Sequence, residues 1–305
     1  MNRTPPYLKP GDTIGIVCPA GYMPVEKAQT CIDTLQRWGY IVKTGLTLGS
    51  ASENYFSGTD QERLTDFQEM LDDDTIHAVL CGRGGYGVGR IIEQIDFRKF
   101  KRNPKWVIGF SDITVLHSHI NMNLGISTLH APMAAAFNDG GAESEFVLSL
   151  KNVLEGKKIS YRCAGHEFNR LGKTKGELTG GNLALLAHMV GTSSDIKTKR
   201  KIFFLEDTGE QLYNIDRMFY QLKRSGKLAG LAGLIIGKFS DNKDTDRPFG
   251  QTAYEIIRDA VKEYNYPVCF NFPVGHEKEN YALKTGEFYK LRVDLDETTL
   301  TEEKE

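Results

Sequence analysis

The chain has 305 residues, with 38 Lys and Arg against 40 Asp and Glu, which leaves a formal net charge of -2. A protein that binds nucleic acid through its charge is expected to carry a basic excess, so this balance argues against that class. No apolar run approaches the about 18 residues of a membrane span. Five scattered cysteines form no CxxC pair, which argues against a disulfide framework and a structural zinc site. Together with the lack of a secretory apolar segment near the first residues, this predicts a cytoplasmic protein.

The first half of the chain alternates short apolar runs with amphipathic segments. Strands are predicted at Thr13 to Val17, Tyr40 to Val42, Ile76 to Cys81, Trp106 to Gly109 and Ile126 to Leu129. The segment after the first strand spaces its apolar residues by three and four, as an amphipathic helix does. Strands alternating with helices predict a parallel sheet with helices on both of its faces.

The pattern becomes looser after the sequence NDGGAES at 138–144, which we interpret as a boundary region. We predict an N-terminal α/β domain at 1–144, a helix and polar linker at 145–175, and a C-terminal domain at 176–305. The second half has shorter predicted strands at Lys201 to Leu205, Leu234 to Ile236 and Pro267 to Phe270. In the final FYKLRVDLD, apolar Tyr289, Leu291, Val293 and Leu295 alternate with polar residues, which is typical of a half-exposed strand in an antiparallel or mixed sheet.

The sequence GRGGYG at 82–87 follows the predicted strand Ile76 to Cys81 and formally matches the dinucleotide fingerprint GxGxxG. That fingerprint belongs on the first strand, with an acidic residue about 20 positions later. Here the loop follows the third strand, and FRKFKRN occupies the later region. We favour a backbone loop at the carboxyl edge of the sheet, whose Gly84 and Gly85 N–H groups donate to an anion or oxyanion. A plain structural turn remains the alternative.

Ser111 follows the predicted strand Trp106 to Gly109, at the point where the chain turns into a helix. This is the position of the nucleophile in a strand–turn–helix elbow, with the N–H of Asp112 directed into the same space. The match to GxSxG is partial because the second glycine is absent. A helix N-cap is the competing interpretation of the same serine.

A serine nucleophile requires a base and a group that orients it. His276 lies in FPVGH just after a strand and has the best local setting for the base. His130 ends a strand at the same predicted edge as Ser111 and is expected to line the site. Glu206 directly follows the apolar run IFFL, where a carboxylate needs a partner unless it emerges into solvent. Asp207 is the competing carboxylate, and strand alternation directs it to the opposite face. The histidines form no cluster with ligand spacing, so no metal site is predicted.

Six segments together resemble the LD-carboxypeptidase family of serine peptidases, in the family's order and over nearly the whole chain. They are LKPGDTIGIVCPAG, CGRGGYGVGR, IGFSDIT, GELTGGNLALLAH, FFLEDTGEQLYNIDRM and PVGHEKEN. The resemblance implies an N-terminal α/β domain with a flavodoxin-like parallel sheet and a C-terminal mixed α/β domain around a small β-barrel-like sheet. It places the active site between the domains and implies no metal or organic cofactor.

The resemblance also implies roles for individual residues. Ser111 is the nucleophile, His276 the base and Glu206 the carboxylate that orients it. The oxyanion hole consists of the N–H groups of Asp112 and of a glycine of the RGGYG loop, which we assign to Gly85.

The same loop is implied to contact substrate through Arg83, Gly84 and Tyr86. One segment departs from the family. Where relatives often have a sequence such as NLPLPLG after the histidine, this chain has NYALKTG at 280–286. The lysine and the missing prolines affect the expected strand and pocket there, but not the three catalytic positions.

The implied reaction is hydrolysis of the amide between an L-configured centre and a C-terminal D-amino acid, most simply the loss of D-Ala from murein tetrapeptides during peptidoglycan recycling. The family's tendency to form dimers predicts a homodimer. The alternative is a related branch, the microcin-immunity peptidases, which cleave peptidyl or aminoacyl nucleotides with the same triad. A catalytically silent sugar- or peptide-binding module is a further alternative. The third residue of the peptide, diaminopimelate or Lys, is left open.

Overall fold

The computed structural model describes residues 2–303, which fall into two units. The first unit contains the described residues up to Lys157 together with Tyr281–Lys284, and the second contains Lys158–Asn280 and the described residues from Thr285 onward. The chain therefore returns once, through a four-residue segment, to the unit in which it began.

Both units combine strands with helices. The strands are β1 (Thr13–Val17), β2 (Ile41–Thr44), β3 (Ile76–Cys81), β4 (Trp106–Gly109), β5 (Thr128–His130), β6 (Ser160–Ala164), β7 (Gly172–Asn182), β8 (Ile202–Thr208), β9 (Gly233–Ser240), β10 (Val268–Cys269), β11 (Leu283–Thr285), β12 (Phe288–Val293) and β13 (Glu297–Glu302). The helices are α1 (Gln29–Arg37), α2 (Asp60–Asp72), α3 (Val88–Ile91), α4 (Arg98–Arg102), α5 (Thr114–Leu124), α6 (Glu145–Leu154), α7 (Leu183–His188), α8 (Leu212–Arg224) and α9 (Ala253–Val261). Among the helices of residues 2–303, none has the length and apolarity that crossing a membrane requires.

The first sheet has the strand order β2-β1-β3-β4-β5, with β11 added next to β5. The pairings among β1 to β5 are parallel, which confirms the predicted parallel sheet. β3 and β4 are buried almost throughout, as their continuous apolar sequences require. Because crossovers are right-handed, the reversal of strand order after β2 places α1 on the opposite face from α2 to α5.

This order creates a topological switch point between β1 and β3. The chain leaves β1 in one direction toward β2 and then continues in the other direction from β3, which opens a crevice at the carboxyl ends of the two strands. The loops that follow β1 and β3 meet there, where Gly21 N donates to Gly84 O over 3.0 Å. Ligands of open α/β sheets bind in such crevices.

The second sheet has the order β10-β9-β8-β7-β12-β13-β6. β7 to β10 pair in parallel, while β7, β12, β13 and β6 pair in antiparallel fashion. The two outer strands approach each other, because Cys163 Sγ of β6 lies 3.9 Å from Cys269 Sγ of β10. Arg170, in the segment between β6 and β7, also exchanges backbone hydrogen bonds of 2.9 and 3.0 Å with Val268 of β10. The sheet is therefore curled toward closure, in agreement with the expected barrel-like form.

The segment 145–175 differs from the expected helix and linker. The helix is present as α6 in the first unit, where Ser149 Oγ accepts a hydrogen bond from Ala282 N. The remainder supplies β6 and the start of β7, whose residues alternate between exposed and half-buried. Polar composition made these strands look like a linker, because they lie in the half-exposed antiparallel part of the sheet. Leu295 also differs, since the predicted alternation ends at Val293 and Leu295 is 75% exposed in the following turn.

Candidate active site

Ser111 occupies a strained turn directly after β4. Its φ is +63°, in the left-handed region that residues other than glycine rarely adopt. Gly109 permits the turn, because a Cβ atom at this position would lie 2.9 Å from Ile113 Cγ1. Neither the short 3-10 turn at Ser111–Ile113 nor α5 has a side-chain N-cap hydrogen bond. The turn thus has the strained strand-to-helix geometry of an elbow rather than that of an N-cap.

The glycine-rich loop packs against this serine. A Cβ atom added to Gly84 would lie 2.9 Å from Ser111 Cβ and 3.2 Å from Ser111 Oγ, so only a glycine leaves this approach open. Gly85 has a φ of +98°. Asp112 is buried, and its Oδ2 accepts a hydrogen bond of 2.8 Å from Val88 N. This bond connects the turn of the serine to the start of α3, just beyond the loop.

Two glycines of the same region provide a matched test of that packing. We expect Gly84→Ala to lower kcat/KM by at least about tenfold, since its Cβ displaces the Ser111 turn and a misplacement of about 1 Å costs up to 100-fold. Gly89→Ala is the control, because nothing lies within 4 Å of a Cβ at that position. It should retain activity and gain about 0.5–1 kcal/mol of stability in a helix. Equal rates for the two variants, measured with correctly folded proteins, would contradict the role of Gly84.

Aromatic residues surround the exposed side of the loop. Tyr86 and Tyr55 are half exposed, and the ring of Phe56 lies between them, with centroids 5.9 and 5.3 Å away. A Cβ on Gly85 would lie 2.9 Å from Tyr55 Oη. The sequence predicts Tyr86 as a substrate contact, and this stays a prediction. It gives no signal for Tyr55, which lies about 30 residues earlier in an unpatterned loop.

The two histidines near the end of β4 are part of the core. His117 Nε2 lies 2.8 Å from Gly109 O, and burial lowers the pKa of this imidazole to about 4, so it is neutral near pH 7. His130 is fully buried, and its ring centroid lies 5.7 Å from that of Phe110. The expectation that His130 lines the site is therefore wrong, because its side chain is fully buried and packs against the ring of Phe110.

In the second unit, Glu206 and His276 form a close pair. His276 Nδ1 lies 2.7 Å from Glu206 Oε2, the carboxylate is fully buried, and the imidazole is 19% exposed. The pairing of β8 with β9 shifts register between Leu205 and Asp207, so Glu206 lies at an irregularity in the strand pairing. Gly275 allows the contact, since a Cβ there would lie 3.2 Å from Glu206 Oε2.

Opposing effects set the pKa of His276. Burial of the imidazole lowers this pKa, whereas the hydrogen bond to Glu206 and the charges of Glu206 and Asp207 raise it. The raising effects are larger together, so the pKa of His276 lies above the ordinary value of 6.5.

Asp207 points away from the histidine and binds the start of α7. Its carboxylate accepts hydrogen bonds of 2.9 Å from Asn182 Nδ2 and Ala184 N. Burial and the nearby charge of Glu206 raise the pKa of Asp207 to about 7. Of the two adjacent acids, only Glu206 therefore contacts the imidazole, and Asp207 joins β8 to the segment that follows β7.

Polar contacts also hold the loop that carries His276. Lys238 Nζ lies 2.9 Å from Glu279 Oε2 and 3.7 Å from Glu277 Oε2. Gly275 N donates to Asn280 Oδ1 over 3.2 Å. Sequence reasoning missed Lys238 and Asn280, because isolated polar residues carry no signal until the fold brings them together.

The candidate residues are divided between the two units. Ser111, Asp112 and the RGGYG loop belong to the first unit, and Glu206 and His276 belong to the second. Across residues 2–303, no group of three or more His, Cys, Asp or Glu side chains is arranged to hold a metal ion.

Comparison with known proteins gives a consistent result for both halves of the chain. Residues 14–131 match the family model described as the LD-carboxypeptidase N-terminal domain, and residues 175–291 match that of the LD-carboxypeptidase C-terminal domain. The chain is 36% identical to the probable murein peptide carboxypeptidase of Bacillus subtilis, over 94% of this chain and 90% of the relative. It is 28% identical to the murein tetrapeptide carboxypeptidase of Pseudomonas aeruginosa, over 90% and 91% of the two chains.

Solved structures agree with these similarities. The muramoyltetrapeptide carboxypeptidase from Oxalobacter formigenes superposes with a TM-score of 0.87 at 28% identity, covering 96% of this chain and 99% of the other. The microcin C7 self-immunity protein MccF, solved in its wild-type apo state, has a TM-score of 0.85 at 22% identity and covers 99% of both chains. The second likeness establishes a shared fold.

Proposed function

Because the chain belongs to the LD-carboxypeptidase family, we propose that it is a serine carboxypeptidase that releases the C-terminal D-Ala from murein tetrapeptides during peptidoglycan recycling. Membership of this family shows that the chain is a carboxypeptidase. The proposal adds that Ser111 is the nucleophile and that a murein tetrapeptide is the substrate. The observation that carries the proposal is the 2.7 Å contact between His276 Nδ1 and Glu206 Oε2, because a serine nucleophile needs an oriented imidazole. The relatives named for murein peptides support the substrate class.

The mechanism follows from the protonation of this pair. An ionised Glu206 only accepts hydrogen bonds, so it holds the proton of His276 on Nδ1 and leaves Nε2 free to accept the proton of Ser111. Ser111 Oγ then attacks the scissile carbonyl carbon. His276 returns the proton to the departing amine of D-Ala, and a water molecule, activated in the same way, hydrolyses the acyl-enzyme. This sequence requires His276 Nε2 to reach Ser111 Oγ when substrate is bound.

The negative charge of the tetrahedral intermediate falls on the carbonyl oxygen. We assign the stabilisation of this oxyanion to the N–H groups of Asp112 and Gly85. Asp112 directly follows Ser111, and Gly85 lies in the loop that packs against Ser111. Gly84 keeps the approach to the nucleophile open, and Tyr86 provides a half-exposed ring beside it for the substrate.

A direct assay tests this function. Purified protein is incubated with a murein tetrapeptide, the corresponding tripeptide, and a tetrapeptide that ends in L-Ala, and released alanine is measured by mass spectrometry. We expect D-Ala from the first peptide alone. Cleavage of the tripeptide, or equal cleavage of the L- and D-ended peptides, would contradict the proposal. Versions with diaminopimelate or Lys at the third position determine which peptide is preferred.

The alternative substrate, a peptidyl or aminoacyl nucleotide, is tested in the same experiment with an aminoacyl sulfamoyl adenosine. Hydrolysis of this compound at a higher kcat/KM than the tetrapeptide would assign the chain to the microcin-immunity type. The identities of 36% and 28% to relatives named for murein peptides, compared with 25% to MccF of Escherichia coli, favour the peptide. The assay therefore decides between the two substrates.

The homodimer, the cytoplasmic location and the independence from cofactors stay predictions. Light scattering during size-exclusion chromatography measures the oligomeric state, and fractionation of the producing cells measures the location.

We expect EDTA to leave the rate of D-Ala release unchanged. Inhibition by EDTA that zinc reverses would contradict the serine mechanism.

A further inference from the structure

Arg83 lies at the switch point of the first sheet, one residue before the glycine that contacts Ser111. Its guanidinium is held in place because Nη1 donates a hydrogen bond of 2.6 Å to Tyr22 O. Its side chain passes along Gly21, where an added Cβ would lie 3.7 Å from Arg83 Nε and 3.0 Å from Gly84 O. The cation is thus fixed beside the loop that borders the candidate nucleophile.

The charge of Arg83 is not neutralised by the protein. Among residues 2–303, Arg83 forms no ion pair, and its side chain is exposed. The neighbouring arginines differ, because Arg63 and Arg90 both pair with Asp60, and Arg63 is completely buried. In the second unit, Lys238, which supports the loop of His276, is likewise paired with two glutamates. Arg83 is therefore a cation whose remaining N–H donors are open to a ligand.

A carboxypeptidase has a specific need for such a group. The scissile carbonyl carbon is separated from the terminal carboxylate carbon by only three bonds, so the carboxylate lies close to the nucleophile whenever the substrate is bound productively. A guanidinium matches a carboxylate in shape and donates two parallel hydrogen bonds to it.

We propose that Arg83 binds the terminal carboxylate of the substrate and thereby restricts cleavage to the last residue of the peptide. This inference rests on the proposed function and adds to it the residue that selects a free carboxyl end. Arg83 is a specificity-determining residue in this proposal, and it takes no part in proton transfer.

The test compares two substrates, the tetrapeptide with a free D-Ala carboxylate and the same peptide as its C-terminal carboxamide. For the wild-type protein we expect kcat/KM to favour the free acid by about 10- to 100-fold, the range of a charge-assisted hydrogen bond. In Arg83→Gln this preference should fall to within about threefold, mainly through a higher KM for the acid. Arg83→Lys keeps the charge without the bidentate geometry and should retain an intermediate preference.

Arg98→Gln serves as the matched control, because Arg98 is exposed and paired with Asp96 outside the site; it should keep the wild-type preference. A wild-type preference that persists in Arg83→Gln would overturn the proposal. An equal loss for acid and carboxamide would also overturn it, because it would show that Arg83 only supports the loop. If the wild-type protein cleaves neither peptide, the proposed function itself fails, and the inference fails with it. Thermal unfolding of each variant confirms that the comparison is between folded proteins.

Discussion

Replacing Ser111 with Ala is expected to lower kcat by about 10⁴- to 10⁶-fold, because a serine peptidase without its nucleophile retains only the contribution of binding and the oxyanion hole. The substitution neither relieves nor adds backbone strain, since Ala and Ser both adopt a φ of +63° only at a cost. Released D-Ala measured with the tetrapeptide gives the rate. Ser52→Ala, in the loop before α2, is the control and should keep the wild-type rate. Activity above a tenth of wild type in Ser111→Ala would remove this serine from the mechanism.

A second substitution at the same position separates chemistry from stability. Ser111→Gly should be as inactive as Ser111→Ala, yet its free energy of unfolding should be higher by about 1 kcal/mol, because glycine adopts a left-handed backbone without steric cost. Denaturant unfolding of the two variants measures the difference. A Gly variant that is less stable than the Ala variant would show that the turn is not strained in solution, and the elbow assignment would lose its physical basis.

The sequence predicts the strands of the first sheet well where they are buried on both faces. β3 and β4 begin and end at the predicted residues, because a continuous apolar run bounded by polar residues or glycine leaves little choice of register. The polar strands β6 and β7 could not be predicted, since their pairing partners β12 and β13 lie more than 100 residues later in the chain. Their stability comes from tertiary pairing rather than from local pattern.

In the candidate site, too, some features could be predicted from the sequence and others could not. Positions directly after strands suggested Ser111 and Glu206, and strand alternation separated Glu206 from Asp207 in agreement with the observed contacts. The left-handed backbone of Ser111 could not be predicted, because serine has no preference for it. The hydrogen-bond partner of Asp207 and the ion-pair partner of Lys238 could not be predicted from the sequence either. Each contact requires two segments about 25 to 40 residues apart in the chain to come together. Chemistry-bearing positions can thus be found from strand ends, but the contacts that orient them cannot.

Replacing Glu206 with Gln should lower kcat by about 10³- to 10⁴-fold and also move the pH dependence. The Gln amide can donate to His276 Nδ1, which places the imidazole proton on Nε2, where it cannot accept the proton of Ser111. In the wild-type protein the base must be neutral, so kcat/KM should rise with pH through the raised pKa of His276, above 6.5. The substitution removes the hydrogen bond to the carboxylate and its charge but leaves the burial, so the pKa of His276 falls and the rise moves to lower pH.

The control for this prediction is Asp207→Asn, the neighbouring acid, which does not contact the imidazole. Asp207 raises the pKa of His276 only through its charge, so this variant should shift the pH profile in the same direction by a smaller amount and lose less than about tenfold in kcat. Rates between pH 5 and 9, together with an NMR titration of His276, measure both effects. The variant must be compared as a folded protein, because Asp207 also binds Asn182 and Ala184 N. If Asp207→Asn lost as much activity as Glu206→Gln, or if the profile of Glu206→Gln stayed in place, Glu206 would not be the group that orients His276.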